Sequence, residues 1–193
     1  MQNFFISISS ILPLITTIIY THAIVKGDAK PHRTTRLILL IISALATVSL
    51  LAQHNTVAIW LSGVSTIQCI VIFILSLKRG MGGYAKTDIV CLTIALFGIV
   101  LWQVTKTPVV ALYFAILADF MGMVPSLIKT YRFPHTEVYL PFLLDFFAAL
   151  FSFLAVKNRT IPEVSYPLYL VFINLAMTLL ILRPLFHSSS QKV

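Results

Sequence analysis

The chain has 193 residues, of which 59% are hydrophobic and only 10% are charged, and its net charge at pH 7 is +8. A soluble domain of this size needs more polar surface than this composition supplies, so a soluble globular protein is excluded. Apolar runs of transmembrane length recur along the chain, which predicts an integral membrane protein surrounded by the lipid bilayer. The basic residues lie between these runs and form no basic domain, so nucleic acid is not an expected partner.

Seven apolar spans can be drawn along the chain, and the segments between them are short. In chain order they cover residues 4–25, 35–52, 57–77, 88–103, 108–128, 138–156 and 164–183. The sequence therefore predicts an all-α integral membrane protein with seven transmembrane helices. The short connections make successive helices antiparallel neighbours and leave no room for a separate soluble domain.

The basic residues beside the spans predict the orientation of the chain. With the N-terminus outside, the inside segments carry eleven lysines and arginines and the outside segments carry three. We therefore expect the N-terminus outside and the C-terminus in the cytoplasm. The first span has no positive n-region before it and no cleavage site after it, so it is expected to be retained. Compactness and the lack of targeting signals favour a bacterial inner (plasma) membrane.

The first and last thirds of the chain share a pattern of lysine, proline and histidine. A shift of 103 positions aligns three pairs: Lys26 with Lys129, Pro31 with Pro134, and His32 with His135. A shift of 106 aligns Gln68 with Asn174. We interpret residues 1–79 and 108–193 as two three-helix repeats, joined by a linker helix within 80–107. A single linker span makes the repeats parallel, a 3+1+3 layout known in transporters. The alternative is that proline and basic residues collect in inside loops independently.

This layout resembles that of the SWEET and PQ-loop transporter superfamily. The segment of residues 123–131, MVPSLIKTY, is similar to a PQ-loop motif, with a proline followed by a polar residue and a basic loop. Ser126 stands where the motif has glutamine, and in the first repeat His22 stands where the second has Pro125. The resemblance covers the whole chain in architecture but only one copy of the motif.

The resemblance implies alternating access, in which two three-helix bundles rock around a central site. We expect Pro125, Gly122 and Pro13 to act as hinges, because proline removes a backbone donor and kinks a helix. The aromatic pocket residues of sugar carriers have no match here. The solute could therefore be a sugar, an amino acid or a vitamin-like molecule.

Asp119 is the most conspicuous candidate site residue, because it lies in the middle of an apolar span. An ionised carboxylate in hydrocarbon costs several kcal/mol, so it must face a wet cavity or a partner, or carry a proton. Asp119, Gly122 and Ser126 share one helix face. We expect Asp119 to bind the solute and to carry protons, and the alternative is a carboxyl group held in a helix interface.

Two amides are predicted to bind the solute together with Asp119. Asn174 matches the asparagine that SWEET-like carriers place in the third helix of a repeat, and Gln68 is its counterpart. An amide can donate and accept hydrogen bonds at once. Both could instead bond neighbouring helices.

Asp145 and His22 are further candidates for proton coupling. Asp145 is followed on its helix face by a stripe of small residues, Ala148, Ala149 and Ser152, which favours close helix packing. Asp145 is therefore either a packing residue or a second proton site. His22 closes the first span and is either a gating or an interfacial residue.

Enzyme activity is not expected, because no nucleophile–base pair and no intramembrane aspartyl protease signature is evident. No cofactor or metal site is expected either, since no histidines have metal-ligand spacing. Cys69 and Cys91 lie in apolar spans and are interpreted as packing residues. A homo-oligomer is left open, although no G-x-x-x-G motif occurs.

These observations favour a small-solute transporter with a central site formed by Asp119, Asn174 and Gln68. Two alternatives remain. One is a channel or uniporter of the same layout, and the other is a seven-helix receptor or assembly protein that transports nothing.

Overall fold

The computed structural model of the chain describes residues 2–52, 56–105, 107–157 and 160–189. Within these ranges the regular structure is helical, apart from one bridge between His32 and Met81. The seven helices are α1 (Gln2–Lys26), α2 (Arg33–Ala52), α3 (Thr56–Arg79), α4 (Lys86–Val104), α5 (Pro108–Arg132), α6 (Tyr139–Ala155) and α7 (Ile161–Ser189). A short 3-10 helix, Pro134–Thr136, lies between α5 and α6. The predicted all-α fold with seven helices is confirmed.

The described helices include four that are long and apolar enough to cross a membrane. These segments are Phe4–Lys26, Lys86–Val104, Leu112–Arg132 and Ile161–Pro184. Large apolar side chains on three of them are mostly exposed, for example Ile18 at 70%, Phe97 at 63% and Phe172 at 63%. Apolar residues on the outside of apolar helices are expected where lipid surrounds the protein. The protein is therefore a helical membrane protein.

The chain divides into two compact units. Unit 1 consists of Met1–Ala29 and Leu127–Val193, and unit 2 consists of Lys30–Ser126. Unit 1 thus contains α1, α6, α7 and the last residues of α5, and unit 2 contains α2, α3, α4 and most of α5. This grouping cuts across the division into repeats at 1–79 and 108–193. The 3+1+3 repeat layout stays a prediction.

In unit 2, the start of α2 is hydrogen-bonded to the end of α3. The Arg33 guanidinium donates to the carbonyl oxygens of Ser76 and Gly82, both at 3.2 Å. The imidazole of His32 is buried, and a Cβ on Gly82 would overlap it. Gly82 also has a φ of 70°, in the left-handed region that favours glycine. Position 82 therefore requires glycine for two reasons: the left-handed backbone conformation and the space that the His32 imidazole occupies.

Asp88 holds the same loop from the first turn of α4. Its Oδ2 accepts hydrogen bonds from the backbone N–H groups of Gly83 at 2.9 Å and Ala85 at 3.2 Å. Its Oδ1 lies 3.5 Å from His32 Nε2, and Asp88 is only 4% exposed. One carboxyl group therefore caps a helix, closes a loop and contacts the start of α2.

The two loops that align in the predicted repeat have different local structures. His32 is buried beside Asp88, whereas His135 is exposed and makes an edge contact with the ring of Phe133. Residues 134–136 form a 3-10 helix, whereas Gly27 turns the chain after α1 with a φ of 91°. The shared Pro-His pair therefore does not fix a common loop conformation.

Replacing Asp88 with alanine should destabilise the protein by about 0.5–2 kcal/mol, because the loop and the start of α4 lose two part-buried hydrogen bonds. Thermal unfolding of the purified protein in detergent measures the effect as a lower unfolding temperature. Asp28→Ala is the matched control, since Asp28 lies in an exposed turn. Equal unfolding temperatures for the two variants would show that the Asp88 contacts do not stabilise the loop.

Candidate functional site

A cavity of about 300 Å³ lies between α1, α6 and α7 within unit 1. Its described lining combines four polar and four apolar side chains: Ser9, Asp145, Ser152 and Asn174, with Pro13, Ala148, Ala149 and Leu170. The volume is at the small end of the roughly 300–1,000 Å³ typical of ligand pockets. The cavity is therefore large enough for a small solute.

Helix periodicity explains why these residues meet. Asp145, Ala148, Ala149 and Ser152 follow the i, i+3, i+4, i+7 spacing and share one face of α6. In α1 and α7 the lining residues are also four positions apart, which places each pair on one face. The small side chains of α6 leave the space open where larger ones would fill it.

The cavity lies near the middle of each helix that forms it. Pro13 is close to the midpoint of α1, Asp145 to that of α6, and Asn174 to that of α7. Polar groups at this depth are expensive in a membrane and are rarely retained without a function or a partner. This position makes the cavity the candidate functional site of unit 1.

Two of the polar side chains in the lining already use their hydrogen-bond donors. The Asn174 amide donates from Nδ2 to the carbonyl oxygen of Leu170 at 2.9 Å. The Ser9 hydroxyl donates to the carbonyl oxygen of Ile6 at 2.9 Å. In a helix the Ser9 carbonyl oxygen would accept a hydrogen bond from the N–H four residues later. That residue is Pro13, which has no N–H, so this bond is missing. The Ser9 hydroxyl oxygen and the Asn174 side-chain oxygen therefore remain as acceptors, and Asn174 keeps its second N–H as a donor.

Three residues predicted for separate roles line this one cavity. Asn174 was predicted to bind the solute, Asp145 to couple protons and Pro13 to act as a hinge, and α7, α6 and α1 bring them together. His22, further along α1, is exposed and is not among the lining residues. The roles themselves stay predictions.

The other predicted site residues belong to unit 2. Asp119 is 9% exposed on α5, and Gln68 is half-buried on α3. Pro125 is fully buried, and a Cβ on Gly122 would lie 2.7 Å from Ile38 Cγ2. Gly122 therefore allows the close approach of α2 and α5, a structural reason for glycine that does not depend on its predicted action as a hinge.

A buried polar cluster in unit 1 was missed by the sequence analysis. The Lys129 ammonium forms an ion pair with Glu137 Oε1, and the Tyr20 hydroxyl donates to Glu137 Oε2 at 2.9 Å. Lys129 is 6% exposed, Glu137 5% and Tyr20 3%. Lys129 was used only as an orientation signal and as part of the repeat pattern. The sequence signal for this cluster is that Glu137 stands directly before an apolar span and follows Lys129 closely in the chain.

The cluster is next to the cavity along two helices. Tyr20 lies two turns beyond Pro13 on α1, about 10 Å further along the axis. Its ring meets the edge of Phe142 at a centroid distance of 6.0 Å, and Phe142 is one turn before Asp145 on α6. Tyr20 and Phe142 therefore lie beyond the cavity lining, toward the Lys26 end of α1.

Comparison of the chain with protein-family models, curated proteins and solved structures finds no match.

Replacing Lys129 with methionine should destabilise the protein by about 3–5 kcal/mol, because the buried Glu137 carboxylate loses its partner. The double variant Lys129→Met/Glu137→Gln should recover part of this loss. Unfolding in mixed micelles with increasing SDS gives the free energies. Lys26→Met is the control, because Lys26 is exposed at the end of α1. Equal losses for the Lys129 and Lys26 variants would contradict a stabilising ion pair.

Proposed function

We propose that the protein is a small-solute carrier that works by alternating access. The observation that carries this proposal is the polar cavity halfway along α1, α6 and α7. In the proposed setting, a bacterial inner membrane, the N-terminus is outside and the C-terminus is cytoplasmic. The excess of lysine and arginine in the inside segments supports that orientation.

The position of the cavity supports transport better than a purely structural role. A carboxyl group and an amide within apolar helices need polar surroundings. Here the small side chains of Ala148 and Ala149 border a space of about 300 Å³ beside the Asp145 carboxyl group and the Asn174 amide. A mid-membrane space with polar groups is the kind of site that alternating-access carriers use.

Helix α1 contains the feature that suits a moving element. Pro13 removes a backbone hydrogen bond directly beside the cavity. The Thr17 hydroxyl donates to the Pro13 carbonyl oxygen at 2.9 Å, a second local bond that favours bending. In the proposed mechanism α1 bends at Pro13 to open and close the cavity, and α5 bends at Gly122 and Pro125.

Proton coupling is the second part of the proposal. Asp119 is a buried carboxyl group on α5, and Asp145 is a carboxyl group on the cavity wall. Either group can carry a proton across an apolar region as a neutral carboxylic acid. We propose Asp119 as the main proton carrier and Asp145 as the group that links proton and solute in unit 1.

The decisive experiment uses the purified chain in liposomes that contain a pH-sensitive dye. A pH gradient is imposed, and pools of sugars, amino acids, amines and vitamins are added in turn. A proton-coupled carrier should show solute-dependent proton movement that is lost in Asp119→Asn and Asp145→Asn. Asp28→Asn is the matched control, because this aspartate lies in an exposed turn.

The other outcomes distinguish the alternatives. Solute uptake without proton movement, unchanged in both aspartate variants, would indicate a uniporter or channel. Folded protein that takes up nothing from any pool would favour a receptor or assembly protein.

Filling the cavity should stop transport while the fold is retained. In Ala149→Leu the added side chain projects from the α6 face that lines the cavity. Uptake into liposomes should fall by about tenfold or more, with an unfolding temperature close to that of the original protein, because a cavity accepts extra methyl groups more readily than a packed core does. Ala95→Leu is the contrasting variant, since Ala95 is fully buried on α4 and is not among the described residues that line this cavity. Undiminished uptake in a folded Ala149→Leu protein would exclude this cavity from the solute path.

A further inference from the structure

We propose that the cavity between α1, α6 and α7 binds a small organic cation, namely a primary ammonium group carried on a short apolar body. This inference rests on the proposed carrier function and names the class of its solute. It follows from the charge, the hydrogen-bonding groups and the size of the cavity.

The described lining contains an acidic side chain and no basic one. Asp145 is its one ionisable residue, and the lining includes no lysine, arginine or histidine among the residues that the structure describes. A carboxylate in an apolar cavity attracts a cation and repels an anion, and both effects are stronger at low dielectric than in water. Carboxylate and phosphate solutes are therefore disfavoured at this site.

The hydrogen-bonding groups select for a solute that donates. The Asn174 amide spends one N–H on Leu170 and keeps its side-chain oxygen and its second N–H. Ser9 spends its single proton on Ile6 and keeps its lone pairs. The Ser9 carbonyl oxygen also lacks the helical N–H partner that Pro13 cannot supply. An ammonium group has three donors and no acceptor, and thus complements this set.

A sugar fits the same groups less well. Each hydroxyl of a sugar carries a lone pair that needs a donor as well as a proton that needs an acceptor. Ser152 is a lining residue whose hydroxyl can serve either way. A buried hydroxyl without a donor loses part of the hydrogen bonding it has in water. An ammonium group has no lone pair that needs a donor, so an amine without a carboxylate does not have this difficulty.

The size and the apolar part of the lining favour an organic over an inorganic cation. A bare metal ion needs several oxygen ligands at about 2.3–2.6 Å, in a space far smaller than this cavity. Here a volume of about 300 Å³ is bordered by Pro13, Ala148, Ala149 and Leu170. These side chains suit a short alkyl chain attached to the ammonium group.

The test measures binding to the purified full chain in detergent at neutral pH, by calorimetry and by the shift in unfolding temperature. Four probes share one alkyl chain: n-butylammonium, n-butanol, butyrate and butyltrimethylammonium. We expect n-butylammonium to bind most tightly, with n-butanol and butyrate weaker by about tenfold or more, because they lack the charge or reverse it. The trimethylated probe, which has the charge but no N–H, should also bind more weakly.

Variants locate the site. Asp145→Asn and Asn174→Leu should each weaken n-butylammonium binding by about tenfold, since each removes an acceptor or the charge. Ala149→Leu should also weaken it by occupying the space, which keeps the test decisive if either polar variant fails to fold. Asp28→Asn should bind as the original protein does.

Several results would overturn the inference. These are no detectable binding of n-butylammonium, equal or tighter binding of n-butanol or butyrate, displacement of the amine by sodium ions alone, and full binding in Ala149→Leu.

Measuring binding and transport separately distinguishes the proposed solute class from the proposed carrier function. Transport of a sugar without amine binding would remove the inference and keep the carrier, whereas amine binding without any transport would keep the site and remove the carrier.

Discussion

Polar groups among apolar helices must find their partners inside the protein, and this constraint accounts for the best-defined contacts of both units. In unit 1 the Glu137 carboxylate is shared between Lys129 and Tyr20, which joins the end of α5, the start of α6 and α1. In unit 2 the Asp88 carboxylate accepts two backbone N–H groups and lies beside His32. In each unit one buried carboxyl group fixes the relative positions of several chain segments.

The helices could be predicted from the sequence because hydropathy is a local property. The predicted span 88–103 corresponds to helix α4, Lys86–Val104, and the predicted span 138–156 corresponds to helix α6, Tyr139–Ala155. The contacts between helices are not local. Nothing near Tyr20 indicates a carboxylate partner 117 residues away. The grouping of α1 with α6 and α7 therefore could not be read from spans and loops alone.

Single residues of the candidate site were predicted from the sequence, but their assembly into one cavity was not. Asp145 and Asn174 were identified because polar side chains are conspicuous in apolar spans. The stripe of Ala148, Ala149 and Ser152 was interpreted as favouring close helix packing, and these residues also line a cavity. Whether small side chains leave a space beside them depends on the facing helix. The facing segment of α1 contains Pro13, which has no N–H, and the sequence gives no measure of the space beside it.

The order of the chain within unit 1 has a consequence for how the protein is made. Helix α1 is synthesised first, but α6 and α7 follow only after all of unit 2. At roughly 5–20 residues per second, the Tyr20 hydroxyl waits on the order of ten seconds for Glu137. During that interval α1 crosses or awaits the bilayer without its packing partners, while the helices of unit 2 already have theirs. Assembly of the cavity is thus a late step, completed only after α7 enters the membrane.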